Sequence, residues 1–182
     1  MRVLGIDPGS RYLGWGLVEA RGSVVTHLDH GVIKADPDSP LATRLHWIFD
    51  GLKHAVGLAR PDAVAVEGVF THKNARSALI LGHARGVALL LAAQMRLEVF
   101  EYPPARVKRS LGAGGNDGKD AVARMVTLHL KLKEPLERAD AYDALAVALC
   151  HVHSSKGPKP TGSRSSALSK FADRLAPSIV RA

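Results

Sequence analysis

A short apolar run at the start of the chain ends at an acid. Val3 to Ile6 supply the apolar positions, Asp7 follows them, and Pro8 and Gly9 come next. A short apolar segment bounded by turn residues is typical of a buried strand, and Pro cannot donate to a strand ladder. The pattern therefore predicts a core strand over residues 2–8 that delivers one carboxylate near its end.

Beyond this strand, alternating apolar residues and runs at helical spacing predict four more strands and five helices. The predicted strands cover residues 2–8, 12–18, 23–34, 63–67 and 97–102. The predicted helices cover residues 40–60, 75–94, 103–111, 119–131 and 138–153. Ser39 is the expected N-cap of the first helix, with Pro40 at its first helical position. Short turns join the first three strands, so we expect an α/β fold: a mixed sheet of three antiparallel and two parallel strands, with helices on both faces.

Composition divides the chain at about residue 153. Residues 154–166 are rich in Ser, Gly, Pro and Lys, which is typical of disorder, so we expect one domain over residues 1–153 and a basic, disordered tail over residues 154–182.

The net charge is +8, of which residues 151–182 carry +5, so the charge of the domain itself is weak support for a polyanionic partner. The single Cys150, the lack of a signal-peptide pattern and the lack of an apolar stretch long enough for a bilayer predict a cytoplasmic protein without membrane contact.

Four acids stand out by their positions. Asp7 and Glu67 each lie at the end of a predicted core strand, and parallel neighbouring strands would place them side by side. Asp140 and Asp143 are three residues apart, on one face of a predicted helix. Each acid alone has an ordinary explanation as a strand-end cap, a salt-bridge partner or a helix-start residue. Together, buried carboxylates need a compensating cation, and hard oxygen ligands favour Mg²⁺ or Mn²⁺. The set therefore predicts a metal-dependent site for phosphodiester hydrolysis.

Small residues form a stripe along the predicted helix over residues 75–94. Ala78, Gly82 and Gly86 are four residues apart, so they share one face. A face with so little side chain permits close approach of another backbone. The sequence leaves open whether that backbone belongs to the protein's own sheet or to a second copy of the chain.

The sequence resembles RuvC, the family of bacterial Holliday junction resolvases, over about residues 1–153. Five segments in the same order carry the resemblance: Gly5–Gly9, Val66–Phe70, Asn74–Leu79, Gly82–Gly86 and Ala139–Ala146. The resemblance implies a ribonuclease H-like fold, a homodimer, and Mg²⁺-dependent, symmetrical nicking of four-way DNA junctions in recombination and repair, in partnership with the RuvA–RuvB branch-migration complex. Gly68 departs from the family pattern, where we expect a larger polar residue.

The resemblance also implies roles for individual residues. The four acids are the implied ligands of about two ions per subunit, Mg²⁺ or in its place Mn²⁺. Lys108 and Lys119 are implied active-site lysines, although solvated lysines are the ordinary alternative. Phe70 is implied to contact the junction centre, whereas the residues alone allow a core role equally well. Further candidates for contact with DNA are Lys73, Arg76 and Arg109.

Two other functions are compatible with parts of the pattern. An actin-like or sugar-kinase-like ATPase also begins with a strand, an acid and a hairpin, but it needs a second phosphate loop and a second domain, and 182 residues contain neither. A non-catalytic junction-binding protein would carry the same acids in a structural role. Cleavage of a junction separates the enzyme from the binder.

Overall fold

The structure, a computed structural model, describes residues 1–68, 75–112 and 119–155. Its strands are β1 (Arg2–Asp7), β2 (Tyr12–Arg21), β3 (Val24–Lys34), β4 (Ala63–Glu67) and β5 (Glu98–Tyr102). Its helices are α1 (Leu41–Ala59), α2 (Ala75–Gln94), α3 (Pro104–Ser110), α4 (Lys119–Leu130) and α5 (Ala139–Ser155).

The five strands form one mixed sheet in the order β3-β2-β1-β4-β5. β1, β2 and β3 pair antiparallel, whereas β4 pairs parallel with both β1 and β5. This confirms the predicted sheet of three antiparallel and two parallel strands. The arrangement places the carboxyl ends of β1 and β4 next to each other, which is where ligands bind in open α/β sheets.

Helices cover both faces of the sheet. α5 packs with α3 and α4 on one face, and its residues from Ala144 to Cys150 are wholly buried. α1 and α2 cover the other face, where the buried side chains include Ile48, Leu52 and Leu91. Full burial of one such aliphatic side chain contributes about 1.5–3 kcal/mol. Because both faces are covered, the interiors of β1 and β4 are apolar, and their polar residues, Arg2, Asp7 and Glu67, lie at the strand termini.

Gly5, in the middle of β1, permits the close packing of α5. A Cβ at this position would overlap the backbone carbonyl oxygen of Ala144. Any other residue would push α5 away from the sheet, and with it the acids near the start of α5.

Apart from shifts of one residue at other element ends, three details differ from the sequence-based expectations. α1 begins at Leu41 with Pro40 as N-cap and no side-chain cap bond, so the prediction of Ser39 as the cap is wrong; the Ser39 hydroxyl instead donates to Asp36 Oδ2 at 3.1 Å. β2 runs three residues past its predicted end because Glu19 still pairs with Arg2 of β1, and Ala20 and Arg21 pair with β3. α5 extends to Ser155, two residues past the predicted end of that helix.

α2 is the described helix whose length and composition would allow it to cross a bilayer, with a mean hydropathy of 1.3. The expectation that no apolar stretch is long enough is therefore wrong by this measure. Only 22% of the apolar window is buried in the single chain. An outward face of α2 thus remains apolar and uncovered. Asn74, which directly precedes α2 and is a candidate N-cap by residue type, lies outside the described residues.

Candidate active site

Asp7 and Glu67 meet at one edge of the sheet. Asp7 is the last residue of β1 and Glu67 is the last residue of β4, and the register pairs Ile6 with Val66 just before them. Their carboxyl groups are hydrogen-bonded to each other. Two carboxyls can bond in this way only if one of them carries a proton, so the two residues titrate as a pair.

The start of α5 brings the other two acids to the same place. Asp140 lies in the first turn of α5, and Asp143 follows one turn later. Gly14 of β2, which is paired with Asp7, lies directly beneath: a Cβ there would overlap the Asp140 carbonyl oxygen. Gly14 thus permits the close packing of α5 on β2. We call Asp7, Glu67, Asp140 and Asp143 the acid cluster.

Burial and the charges of neighbouring acids raise the pKa of both strand-end acids. Burial, and then the charges of Glu67, Asp143 and Asp140, raise the pKa of Asp7 from 3.8 to about 8. Burial and the charge of Asp143 also raise the pKa of Glu67, while the Lys108 ammonium acts in the opposite direction. The cluster therefore holds more negative charge than the neighbouring side chains of the described residues neutralise.

A hard divalent cation would supply the positive charge that the acid cluster lacks. All four side chains offer carboxylate oxygens, the ligand type of Mg²⁺ and Mn²⁺. Within residues 1–68, 75–112 and 119–155, however, no three Asp, Glu, His or Cys side chains already surround one point as the ligands of an ion. The four acids are brought together, and their role as ligands stays a prediction.

The basic candidates differ in their distance from the cluster. Lys108 on α3 is half-buried and close enough to Glu67 to affect its pKa. Arg109 is exposed in the last turn of α3, and Arg76 is exposed in the first turn of α2. Lys119 begins α4, but its side chain is outside the described part of the chain.

Several other predicted features cannot be placed. Phe70 and Lys73 lie outside the described residues, as do most of the glycine-rich segment before α4 and the tail beyond Ser155. The roles of these residues stay predictions. Gly68 is described, and its N–H donates to the Tyr102 carbonyl oxygen at 2.9 Å, which ties the end of β4 to β5.

One residue at the site was missed by the sequence analysis. Arg138, just before α5, donates to Asp140 Oδ2 through Nε at 3.1 Å and through Nη2 at 2.8 Å. Its guanidinium carbon lies 3.7 Å from the centre of the Tyr12 ring. The available signal was a cation placed at the N-terminal end of a helix, where the helix dipole disfavours positive charge.

Comparison with known proteins agrees with this geometry. The family model described as crossover junction endodeoxyribonuclease RuvC matches residues 3–151. The chain belongs to the RuvC family. The RuvC of Myxococcus xanthus is 58% identical over 187 residues, which cover 100% of this chain and 98% of that protein. The RuvC of Trichlorobacter lovleyi is 49% identical over 154 residues, covering 85% of this chain and 86% of that protein.

Solved structures give the same result at the level of the fold. The Thermus thermophilus RuvC in complex with a Holliday junction substrate has a TM-score of 0.78 and 34% identity, covering 86% of this chain and 96% of that chain. The yeast mitochondrial Holliday junction resolvase Ydc2 has a TM-score of 0.57 over 83% of this chain and 78% of its own. At 13% identity the Ydc2 match shows the fold alone. RuvC membership and the fold of the junction resolvases thus confirm the resemblance seen in the sequence.

Proposed function

We propose that the protein is a structure-selective endodeoxyribonuclease that resolves four-way DNA junctions by paired, symmetrical hydrolysis of phosphodiester bonds during recombination and repair. The observation that carries the proposal is the acid cluster, whose charge and burial raise the pKa of Asp7 to about 8. Membership of the RuvC family supports the choice of DNA junctions as substrate. The 34% identical RuvC structure that contains a Holliday junction supports it further.

Asp7, Glu67, Asp140 and Asp143 would hold Mg²⁺, or Mn²⁺ in its place, with two ions in each subunit. Bound there, the ions supply Lewis-acid activation of water and stabilise negative charge on the leaving oxygen. The acids orient these ions at the edge of the sheet, on elements that are fixed by core packing. β1, β4 and the first turn of α5 are rigid supports, which favours the precise geometry that such chemistry needs.

The lysines assist at the phosphate. Lys108 projects from α3 toward the cluster, where its charge acts on Glu67. In this position it stabilises the negative charge that builds up on the scissile phosphate. We assign the same task to Lys119, the first residue of α4, on the basis of the RuvC resemblance.

Other side chains bind the DNA away from the cut bond. Phe70 stacks on or wedges between bases at the junction centre. Lys73, Arg76 and Arg109 contact the phosphate backbone, and the exposure of Arg76 and Arg109 is compatible with that role.

The protein acts as a homodimer, because two symmetrical cuts need two identical sites at a fixed separation. α2 provides the interface. Ala84, Ala88 and Leu91 pack on the protein's own core, whereas Gly82 and Gly86 face open space and Leu79 and Leu90 are 64% and 56% exposed. The own-sheet alternative for the small-residue stripe thus has no support in the described contacts. A second α2 packed on this face would cover the apolar surface.

The catalytic unit spans residues 1–153, and residues 154–182 form a basic appendage. α5 runs two residues past that boundary, so the last helix of the domain ends at Ser155. The protein works in the cytoplasm, and the RuvA–RuvB branch-migration complex is its proposed partner. Because a second α2 would cover the apolar outward face of α2, we propose no contact with a membrane.

A junction assay separates the proposed enzyme from a binder with structural acids. A synthetic four-way junction with Mg²⁺ should be nicked at two symmetry-related positions, while linear duplex of the same sequence stays intact. Asp7→Asn should bind the junction and leave it uncut. Tight binding without any cleavage by the unmodified protein would favour the non-catalytic alternative. Binding of ATP in a calorimeter would favour the ATPase.

A further inference from the structure

Arg138 occupies a position that local preference disfavours. It directly precedes α5, and its carbonyl oxygen accepts the N–H of Ala141 at 3.3 Å. The helix dipole makes this end of α5 partially positive, which disfavours a cation there by about 0.3–1 kcal/mol. Residues that break a local preference are expected at functional sites.

The contacts of Arg138 with Asp140 are unsymmetrical. Nε at 3.1 Å and Nη2 at 2.8 Å both donate to Oδ2 of Asp140. Arg138 thereby leaves Oδ1 of Asp140 for another ligand. The carboxylate also stays close enough to Asp7 to raise the pKa of Asp7, so Arg138 does not draw it out of the acid cluster.

Arg138 is itself held in place. The Tyr12 ring lies beneath the guanidinium carbon at 3.7 Å, a cation–π contact. Upstream, the N–H of Leu136 donates to the buried Tyr142 hydroxyl at 2.8 Å, which ties the segment before Arg138 to α5. Tyr12 opens β2, the strand on which the start of α5 packs at Gly14. The guanidinium therefore has a defined position relative to the cluster.

We propose that Arg138 is a positioning residue that fixes the Asp140 carboxylate as a ligand for the divalent ion, with Tyr12 holding the guanidinium in place. The inference rests on the proposed function of the acid cluster. A hydrogen bond to the second oxygen of a ligating carboxylate sets its orientation, and loss of such a partner typically costs 10–100-fold in metal affinity. Because the side chain of Arg138 is 42% exposed, we expect the lower end of that range, about tenfold.

Removal of Arg138 could in principle also strengthen metal binding, so the direction of the change in metal affinity decides between the two roles. If Arg138 competed with the ion for Asp140, its removal would tighten metal binding. Positioning predicts weaker binding in Arg138→Ala and partial recovery in Arg138→Gln, which is neutral but keeps an N–H donor. Arg138→Lys keeps the charge but loses the planar pair of donors, so positioning predicts incomplete recovery there.

The test is calorimetric titration of the full chain with Mn²⁺ in the absence of DNA. Arg138→Ala should bind about tenfold more weakly than the unmodified protein, and Arg138→Gln about threefold more weakly. Arg21→Gln is the matched control, because Arg21 also pairs with a carboxylate, Glu19, at 2.9 Å, but outside the cluster. Its Mn²⁺ affinity should be unchanged.

Two variants of Tyr12 test the second half of the proposal. Tyr12→Phe keeps the ring under Arg138 and should retain the Mn²⁺ affinity, whereas Tyr12→Leu should lower it about two- to threefold. In junction cleavage, Arg138→Ala should raise the metal concentration needed for half-maximal rate and leave the rate at saturating metal within about twofold. If Arg138 had only a structural role, its removal would not change the metal requirement while leaving the rate at saturating metal nearly the same.

Unchanged or tighter Mn²⁺ binding in Arg138→Ala would overturn the inference, as would an unmodified protein that binds no Mn²⁺. The titration contains no DNA, so failure of the proposed function is recognised separately. A protein that binds Mn²⁺ through Arg138-dependent ligands but never cuts a junction would refute the nuclease proposal and leave the positioning role intact.

Discussion

Replacement of Asp7 by Asn should stabilise the metal-free protein at neutral pH while it abolishes junction cleavage. Asp7 is held beside three other acids, and burial and their charges raise its pKa from 3.8 to about 8. Its ionised form is therefore destabilised in the folded state. Asn has nearly the same shape and stays neutral, and its N–H can donate to Glu67, so the variant keeps the contact and loses the charge.

The size of the effect follows from proton linkage. Between about pH 3.8 and pH 8 the unfolded chain has lost the proton of Asp7 and the folded chain keeps it, so the free energy of unfolding falls as the pH rises. The slope is about 1.4 kcal/mol per pH unit, which amounts to about 4 kcal/mol between pH 3.8 and pH 7. Glu67 and Asp143 still repel each other in the variant, so we expect about half of this gain, ~2 kcal/mol at pH 7.

Urea unfolding in EDTA at about pH 4 and about pH 7 measures the effect, with circular dichroism as the probe. Asp7→Asn should match the unmodified protein at the lower pH and exceed it at the higher pH. Asp38→Asn, an exposed acid in the loop before α1, is the control and should show no such pH-dependent gain. Equal stability of Asp7→Asn and the unmodified protein at both pH values would refute the reasoning, as would a loss of stability at neutral pH.

Four further predictions concern metal binding, Lys108, Phe70 and the outward face of α2. Mg²⁺ at a hundredfold excess over its Kd should stabilise the unmodified protein by about 2.7 kcal/mol, and thermal unfolding should show little gain in Asp7→Asn. Lys108→Ala should lower the rate of junction cleavage by about 10²-fold with junction affinity nearly unchanged, since it acts on charge that builds up in the transition state. Phe70→Ala should impair cleavage and keep the Mg²⁺-dependent gain in thermal stability; unimpaired cutting removes its role. Gly82→Glu should give monomers in sedimentation, whereas Gly57→Glu, which also faces open space, should stay dimeric.

Local patterns were sufficient for most of the fold. The bounds of β4 and α2 agree with the sequence-based prediction. β4 is a short apolar run that ends at an acid, and α2 is a long apolar segment that stays helical although it contains glycines. Two details depended on contacts outside these patterns. β2 extends to Arg21 through pairing with β1 and β3, which depends on the tertiary arrangement. Ser39 bonds to Asp36 instead of capping α1, which depends on the local geometry of the loop.

The candidate site shows the same division. Asp7 and Glu67 could be placed together because each ends an apolar strand, and parallel pairing follows from the order of strands and helices. The contact between Arg138 and Asp140 could not be predicted, because the position of Arg138 depends on Tyr12 of β2 and on how closely α5 packs on β2 at Gly14.

Anomalous diffraction from Mn²⁺-soaked crystals of the full chain tests the central claim most directly. We expect manganese peaks bounded by the carboxylates of Asp7, Glu67, Asp140 and Asp143, at the edge where β1 and β4 end. Manganese bound elsewhere, for example at His27 and His30, whose ring nitrogens lie 3.0 Å apart, with none between the four acids, would contradict it.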